Sequence, residues 1–289
     1  MPAESLAALR VNARAESRGP LWSALSVALA TVGCSIPGPA APEAATDGLR
    51  QRVAVGAPLH AELSVLQAGT ASAPRLILVH GTPGSATGWA DYLLDPPPGM
   101  EVLALDRPGF GRSQPEGAVT TLHAQAAAVA ALLPSDGRRA VLLGHSLGGA
   151  IVARVAAEHP QRVAALVLVA ASLDPALETI HPMQRVGAWP GVRALLPRAI
   201  RNANAELMAL ERELRALEGW LPRISAPVLI VHGTKDDLVP VANVAYMTAR
   251  LTGSACVTTQ LLEGHNHFLP WNSAAVLRDA IRRASEATC

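Results

Sequence analysis

The residues best placed to do chemistry centre on one serine. Gly144-His145-Ser146-Leu147-Gly148-Gly149 follows the apolar run Val141-Leu142-Leu143 and opens a helical stretch over 147–158. A serine in such a strand-to-helix turn stands with its hydroxyl above the sheet. The flanking Gly144 and Gly148 leave room where a Cβ would collide with the neighbouring chain. Serine is a poor nucleophile until a base removes its proton, and that base must be oriented by a third group. His265 and His267 compete for the role of base. The chemistry such a set performs is attack on an electrophilic carbonyl.

Elements must hold these groups together. Leu76–Val79, Val102–Leu105, Val141–Leu143, Leu166–Val169, Val228–Val231 and Thr258–Leu262 are short apolar runs, each stopping at a polar or glycine residue. Runs of this length rich in Val, Leu and Ile suit strands buried on both faces. Helical stretches at about 122–133, 147–158, 240–251 and 272–287 alternate with them. The alternation predicts an α/β fold, a mostly parallel central sheet flanked by helices. Ligands in such sheets bind beyond the carboxyl ends of the strands, where the polar residues stand. Residues 174–222 interrupt the alternation, and Leu207, Leu210, Leu214 and Leu217 mark an amphipathic helix within them. Glu206, Glu211, Arg212 and Arg215 are expected on its other faces. The segment reads as a short helical lid.

His80-Gly81-Thr82-Pro83-Gly84, Leu105-Asp106-Arg107-Pro108-Gly109-Phe110-Gly111-Arg112-Ser113, the Ser146 turn, His232-Gly233-Thr234-Lys235-Asp236 and His267-Phe268-Leu269-Pro270-Trp271 occur in this order. In that series the chain resembles the α/β-hydrolase family from about residue 60 to 287. The resemblance implies the nucleophile Ser146, the base His267 and the orienting acid Asp236, with Asp237 or Asp174 as alternative acids and His265 as the alternative base. It also implies an oxyanion hole of two backbone N–H groups, one from Leu147 and one from the His80–Gly84 loop. Pro83 has no N–H, so Thr82 is the expected donor and Gly84 the fallback. His80 is expected to brace this loop, Asp106 and Arg107 to pin its neighbour, and His232 to be structural. Ser146 where relatives of other chemistry carry aspartate argues against dehalogenation and epoxide opening. The expected activity is hydrolysis of carboxylic esters through an acyl-enzyme, with an apolar acyl group if Leu207, Met208, Leu210, Met183 or Trp189 line the site. The alternatives are a triad enzyme acting on a thioester, lactone, C–C bond or acyl acceptor, and a non-catalytic envelope lipoprotein.

The N-terminus reads as an address. Arg10, Arg14 and Arg18 precede the uncharged stretch Leu21–Gly33, which ends at Cys34. A basic stretch, a short apolar run and small residues are the parts of a secretory signal. The run is shorter than the roughly 20 residues of a stable anchor. Cys34 resembles a lipobox cysteine, with Thr31 where Leu is usual, and Ala28-Leu29-Ala30 is a second cleavage candidate. The expected organisation is a signal over 1–34, a Pro/Ala-rich linker over 35–52 and the hydrolase domain over 53–289. The expected location is the bacterial envelope, membrane-attached through Cys34, and the alternative is a cytoplasmic enzyme with a frayed N-terminal helix.

Composition agrees with a packed domain. Of 289 residues, 50% are apolar and 16% charged, which excludes a wholly disordered chain. A net charge of +1 gives no basic field for nucleic acid. The 3 cysteines are too few and scattered for a disulfide scaffold or zinc site, and Cys256 reads as a small core residue. The sequence holds no metal-ligand cluster, phosphate-cradling loop or dinucleotide fingerprint, so no cofactor is expected.

Overall fold

The apolar runs assemble into an eight-stranded sheet in the computed structural model, which describes residues 43–286. A short helix α1 (Glu43–Asp47) leads into β1 (Arg50–Val55) and β2 (Ala61–Gly69), which pair antiparallel with Val53 opposite Leu63. β2 then lies antiparallel to β4 (Glu101–Leu105), which is parallel to β3 (Arg75–Val79). β5 (Ala140–His145), β6 (Val163–Val169), β7 (Val228–Gly233) and β8 (Val257–Leu262) continue parallel. The spatial order is β1-β2-β4-β3-β5-β6-β7-β8.

Helices α2 (Ala90–Leu94), α3 (Leu122–Ala130) and α4 (Leu147–Glu158) fall between the strands up to β6. Between β6 and β7 lie α5 (Pro182–Gly187), α6 (Pro190–Leu195) and the long α7 (Arg198–Glu218). The chain closes with α8 (Asn243–Arg250), α9 (Leu269–Asn272) and α10 (Ala274–Ser285). Side chains alternate across a strand, so each apolar run serves two cores. Ile77, Val79, Leu103 and Leu142 pack with Ile151, Val155, Leu214 and Met247 on one face. Leu76, Leu78, Val102 and Val141 pack with Trp89, Tyr92, Leu277 and Ile281 on the other. That two-sided burial is why the strands are unbroken apolar runs.

Three features depart from the sequence pattern. Within the described residues, the stretch expected as linker up to 52 already holds α1, with Thr46 fully buried, and the start of β1. Arg50, Gln51 and Arg52 made it look like linker, because an antiparallel edge strand tolerates polar residues that a central strand does not. Cys256 is disulfide-bonded rather than a free core thiol. The third departure is Glu206, expected on an exposed face of its helix, which is only 3% exposed. Residues 1–34, and with them the signal and Cys34, lie outside the described residues. Among the described residues no helix is long and apolar enough to cross a membrane.

Candidate active site

β5 ends at His145 and α4 starts at Leu147, which leaves Ser146 in the turn at φ 57° and ψ −127°. A non-glycine residue at positive φ is strained and persists only where its surroundings over-determine it. Here the Ser146 amide donates to the Val169 carbonyl at 3.0 Å and the Ser146 carbonyl accepts from the Gly149 amide at 2.9 Å. The glycine at 148 is forced by contact, since a Cβ there would stand 2.3 Å from the Val79 carbonyl oxygen. Gly81 is forced in the same way, its Cβ position lying 2.8 Å from the Ser146 Cβ. The loop after β3 therefore runs directly alongside the serine.

Asp236 and His267 come together from the loops after β7 and β8. His267 Nδ1 donates to Asp236 Oδ2 at 2.7 Å, in a pair whose residues are 6% and 8% exposed. The other carboxylate oxygen accepts from the Leu238 and Val239 amides at 2.9 and 2.8 Å. Burial pushes the Asp236 carboxyl up, but the His267 hydrogen bond and charge and the two amides outweigh it. The net position lies below the usual carboxylate range, so the acid is ionised and holds His267 with Nδ1–H toward it. That leaves Nε2 as the acceptor. The competing residues stand elsewhere. His265 is exposed and turned to the Glu263 carbonyl, Asp237 is exposed, and Asp174 accepts from the Ala176 amide in a turn.

His145 joins the serine turn to this pair. Its Nε2 donates to the His267 carbonyl at 3.0 Å, and the two rings lie tilted at 45° with centroids 4.7 Å apart. Burial, helped by the neighbouring His267, lowers His145 to about 3, so it is a neutral tether at physiological pH. Trp271 packs edge-on against His145, and its Nε1 donates to the Gly88 carbonyl at 2.8 Å. The Tyr92 hydroxyl donates to the Pro270 carbonyl at 3.0 Å. The turn carrying His267 is thereby fastened to the segment after the β3 loop. His232 donates Nε2–H to the Val239 carbonyl at 3.0 Å, shaping the loop around Asp236.

The two expected oxyanion donors sit on elements that meet at Ser146. Leu147 is the first residue of α4, so its amide has no acceptor within the helix. Thr82 follows Gly81 in the β3 loop, and its Oγ1 is buried without a hydrogen-bond partner among the described residues. His80 braces this loop through Nδ1 to the Gly81 carbonyl at 2.7 Å and accepts the Arg107 amide on Nε2 at 3.1 Å. Burial, with the Arg107 charge, holds His80 well below the ordinary histidine range. A Cβ on Gly84 would reach the His80 ring at 2.5 Å, so this residue closes the loop on its brace.

Arg107 supports the same loop from behind. Fully buried, it donates Nε–H to the His80 carbonyl at 3.0 Å and Nη2–H to the Gly81 carbonyl at 2.9 Å. Its charge is met by Glu206 of α7 in a two-pronged pair at 2.7 and 3.0 Å, and Gln125 adds a bond to Glu206 at 2.9 Å. Asp106 pins the adjacent turns, accepting from the Ala86 and Arg112 amides at 2.8 and 3.0 Å. Glu206 and His145 are the residues that the sequence reading did not single out. Glu206 had a signal: Ala203, Glu206, Leu210, Leu214 and Leu217 form one buried stripe, with a carboxylate in apolar register. Of the residues expected to line an acyl site, Leu210 is in the core, while Met183 and Trp189 are exposed.

Residues 74–194 match the family model described as alpha/beta hydrolase fold. The chain is 38% identical over 233 residues to Lipase LipV of Mycobacterium tuberculosis, covering 70% of this chain and 83% of that protein. It is 29% identical over 255 residues to the pimeloyl-[acyl-carrier protein] methyl ester esterase of Aromatoleum aromaticum, covering 72% of this chain and 98% of the esterase. The crystal structure of a membrane phospholipase A superposes with a TM-score of 0.65 at 25% identity, over 92% of this chain and 93% of that one. The chain belongs to the α/β-hydrolase fold family, and these three relatives are all named for hydrolysis of esters or lipids.

Proposed function

We propose that the protein is a serine hydrolase of carboxylic esters. The observation that carries the reading is the buried His267–Asp236 hydrogen bond, tethered through His145 to a strained serine turn. Ser146 Oγ adds to the ester carbonyl carbon as its proton passes to His267 Nε2, and the carbonyl π pair becomes the oxyanion. The Leu147 and Thr82 amides hold that oxyanion while Asp236 stabilises the imidazolium. Collapse breaks the bond to the leaving alkoxide, which takes the proton from His267. Water then attacks the acyl-enzyme with His267 as base, and the carboxylic acid leaves as Ser146 regains its proton. The activities for which the lipase and the esterase relatives are named support an ester substrate. In this reading α5–α7 act as the lid, and the chain is exported and lipidated at Cys34.

A fluorophosphonate probe on the folded chain tests the nucleophile. The expected result is one adduct on Ser146, lost in Ser146→Ala, together with turnover of aryl esters. Absence of the adduct would overturn the catalytic reading. A panel of acyl chain lengths then separates ester hydrolysis from transfer to other acceptors. Fatty-acid labelling that survives Cys34→Ser would sink the lipidation.

A further inference from the structure

The helices α5 and α6 contain no buried residue. Their segment instead exposes large apolar side chains, Met183 by 52%, Trp189 by 64% and Leu195 by 86%. The other large apolar residues exposed among the described residues, Leu94, Leu238 and Leu261, belong to three separate parts of the chain. The same stretch carries charge of a single sign. Arg185, Arg193, Arg198 and Arg201 fall between Glu178 and Glu206 with no Asp or Glu among them, in a chain whose net charge is only +1. Arg198 directs its donors to the Ser113 and Glu116 carbonyls, whereas Arg185 and Arg193 are exposed.

Leu and Trp held in water next to exposed arginines have the composition of an interfacial segment. Apolar groups enter the boundary between headgroups and acyl chains, and arginines meet the phosphates. A second copy fits this segment poorly, because both copies would bring charge of the same sign into one contact, whereas an anionic surface complements it. We propose that α5 and α6 dock onto an anionic lipid surface. Trp189, Leu195 and Met183 enter the headgroup layer, and Arg185 and Arg193 meet the lipid phosphates. Asn204 Nδ2 donates to the Gln184 carbonyl at 2.9 Å, which ties α5 to α7, and Glu206 of α7 holds Arg107 beside the candidate site. Docking thus brings the carboxyl edge of the sheet toward the bilayer. If the esterase reading holds, on which this part rests, the substrate class is an acyl ester resident in the membrane.

The test uses the full chain and vesicles of phosphatidylcholine, alone or with about one third phosphatidylglycerol. Trp189 is followed as the difference in brominated-lipid quenching between wild type and Trp189→Phe, which removes any contribution from the N-terminal Trp22. The expected result is quenching of Trp189 on anionic vesicles. Arg185→Gln and Arg193→Gln should each weaken anionic binding about fivefold, the factor matching about 1 kcal/mol per arginine. Turnover of a water-soluble aryl ester should be unchanged in Arg185→Gln and Arg193→Gln. Equal quenching of wild type and Trp189→Phe would overturn the docking, as would binding indifferent to both arginines. Loss of aryl ester turnover in wild type would sink the esterase reading and leave the quenching result standing.

Discussion

Glu206→Gln probes the link between α7 and the loop that carries Thr82. The carboxylate is 3% exposed and accepts three hydrogen bonds, two from Arg107 and one from Gln125. Glutamine keeps the shape but removes the charge, and its NH₂ group faces donors. Arg107, with no exposed surface, is left with the His80 and Gly81 carbonyls and the Phe110 ring, none of them charged, to compensate a buried cation. Breaking one side of a buried pair costs about 3–5 kcal/mol, a large share of a typical total of about 5–15. For a domain of this size that lowers the melting temperature by on the order of 10 °C. The assay is urea and thermal unfolding of wild type, Glu206→Gln, Arg107→Met and the double variant Arg107→Met/Glu206→Leu. Removing both charges together should restore most of the stability, because two apolar groups leave no buried ion unpaired. Turnover should not return with it, since the His80 and Gly81 carbonyls have lost their guanidinium and the Thr82 amide is no longer aimed. One misdirected oxyanion donor costs about 10²-fold in kcat. The reasoning is refuted if Glu206→Gln melts within about 2 °C of wild type, or if the double variant loses the sum of the two singles.

Asp236→Asn keeps acceptors for the Leu238 and Val239 amides but no longer fixes Nδ1–H of His267. Aryl ester turnover should fall by up to about 10⁴-fold with little change in unfolding temperature, and retained turnover would exclude Asp236 as the orienting acid. His267→Ala should abolish turnover while His265→Ala leaves it intact, a direct comparison of the two bases. Gly81→Ala sets a methyl 2.8 Å from the Ser146 Cβ; fluorophosphonate labelling should slow by about 10²-fold, and a wild-type labelling rate would refute that contact. Burial lowers His80, His145 and His232 in the fold, so the unfolded chain binds protons below about 6.5 that the native protein refuses. The stability they contribute is complete above that pH and falls as pH drops, by up to about 1.4 kcal/mol per unit for each histidine. A urea midpoint that stays flat from pH 7 to 5 would contradict this.

The five inner parallel strands, β3 to β7, were readable because each is buried on both faces and so is a nearly uninterrupted apolar run, whereas the edge strand β8 was marked by Leu261 and Leu262 and its β-branched residues. β1 and β2 were not, since Arg50, Gln51, Arg52 and Glu62 lie on strands with a solvated side and mimic linker. Ser146 announces itself because both flanking glycines are dictated by contact, Gly144 by the Gly148 carbonyl four residues on and Gly148 by the Val79 carbonyl of the neighbouring strand. The pairing of Asp236 with His267 followed from family order rather than from local chemistry, and spatial proximity between two loops leaves no periodic trace. Glu206 shows a further limit. Its apolar register was visible, but its partner Arg107 lies 99 residues away, and nothing local says that a buried carboxylate has found a cation. His145 was passed over for a related reason: its tether to the His267 carbonyl spans 122 residues.

The Arg107–Glu206 pair also bears on how freely the segment between β6 and β7 can be exchanged. Insertions at this position are natural targets for swapping when substrate range is to be altered. Here the segment supplies the counter-ion for a guanidinium that belongs to the body of the fold. A graft that omits a carboxylate at the position of Glu206 strands that cation, however well its own helices pack. Arg107 and Glu206 form one structural unit, and any chimera must carry both or neither.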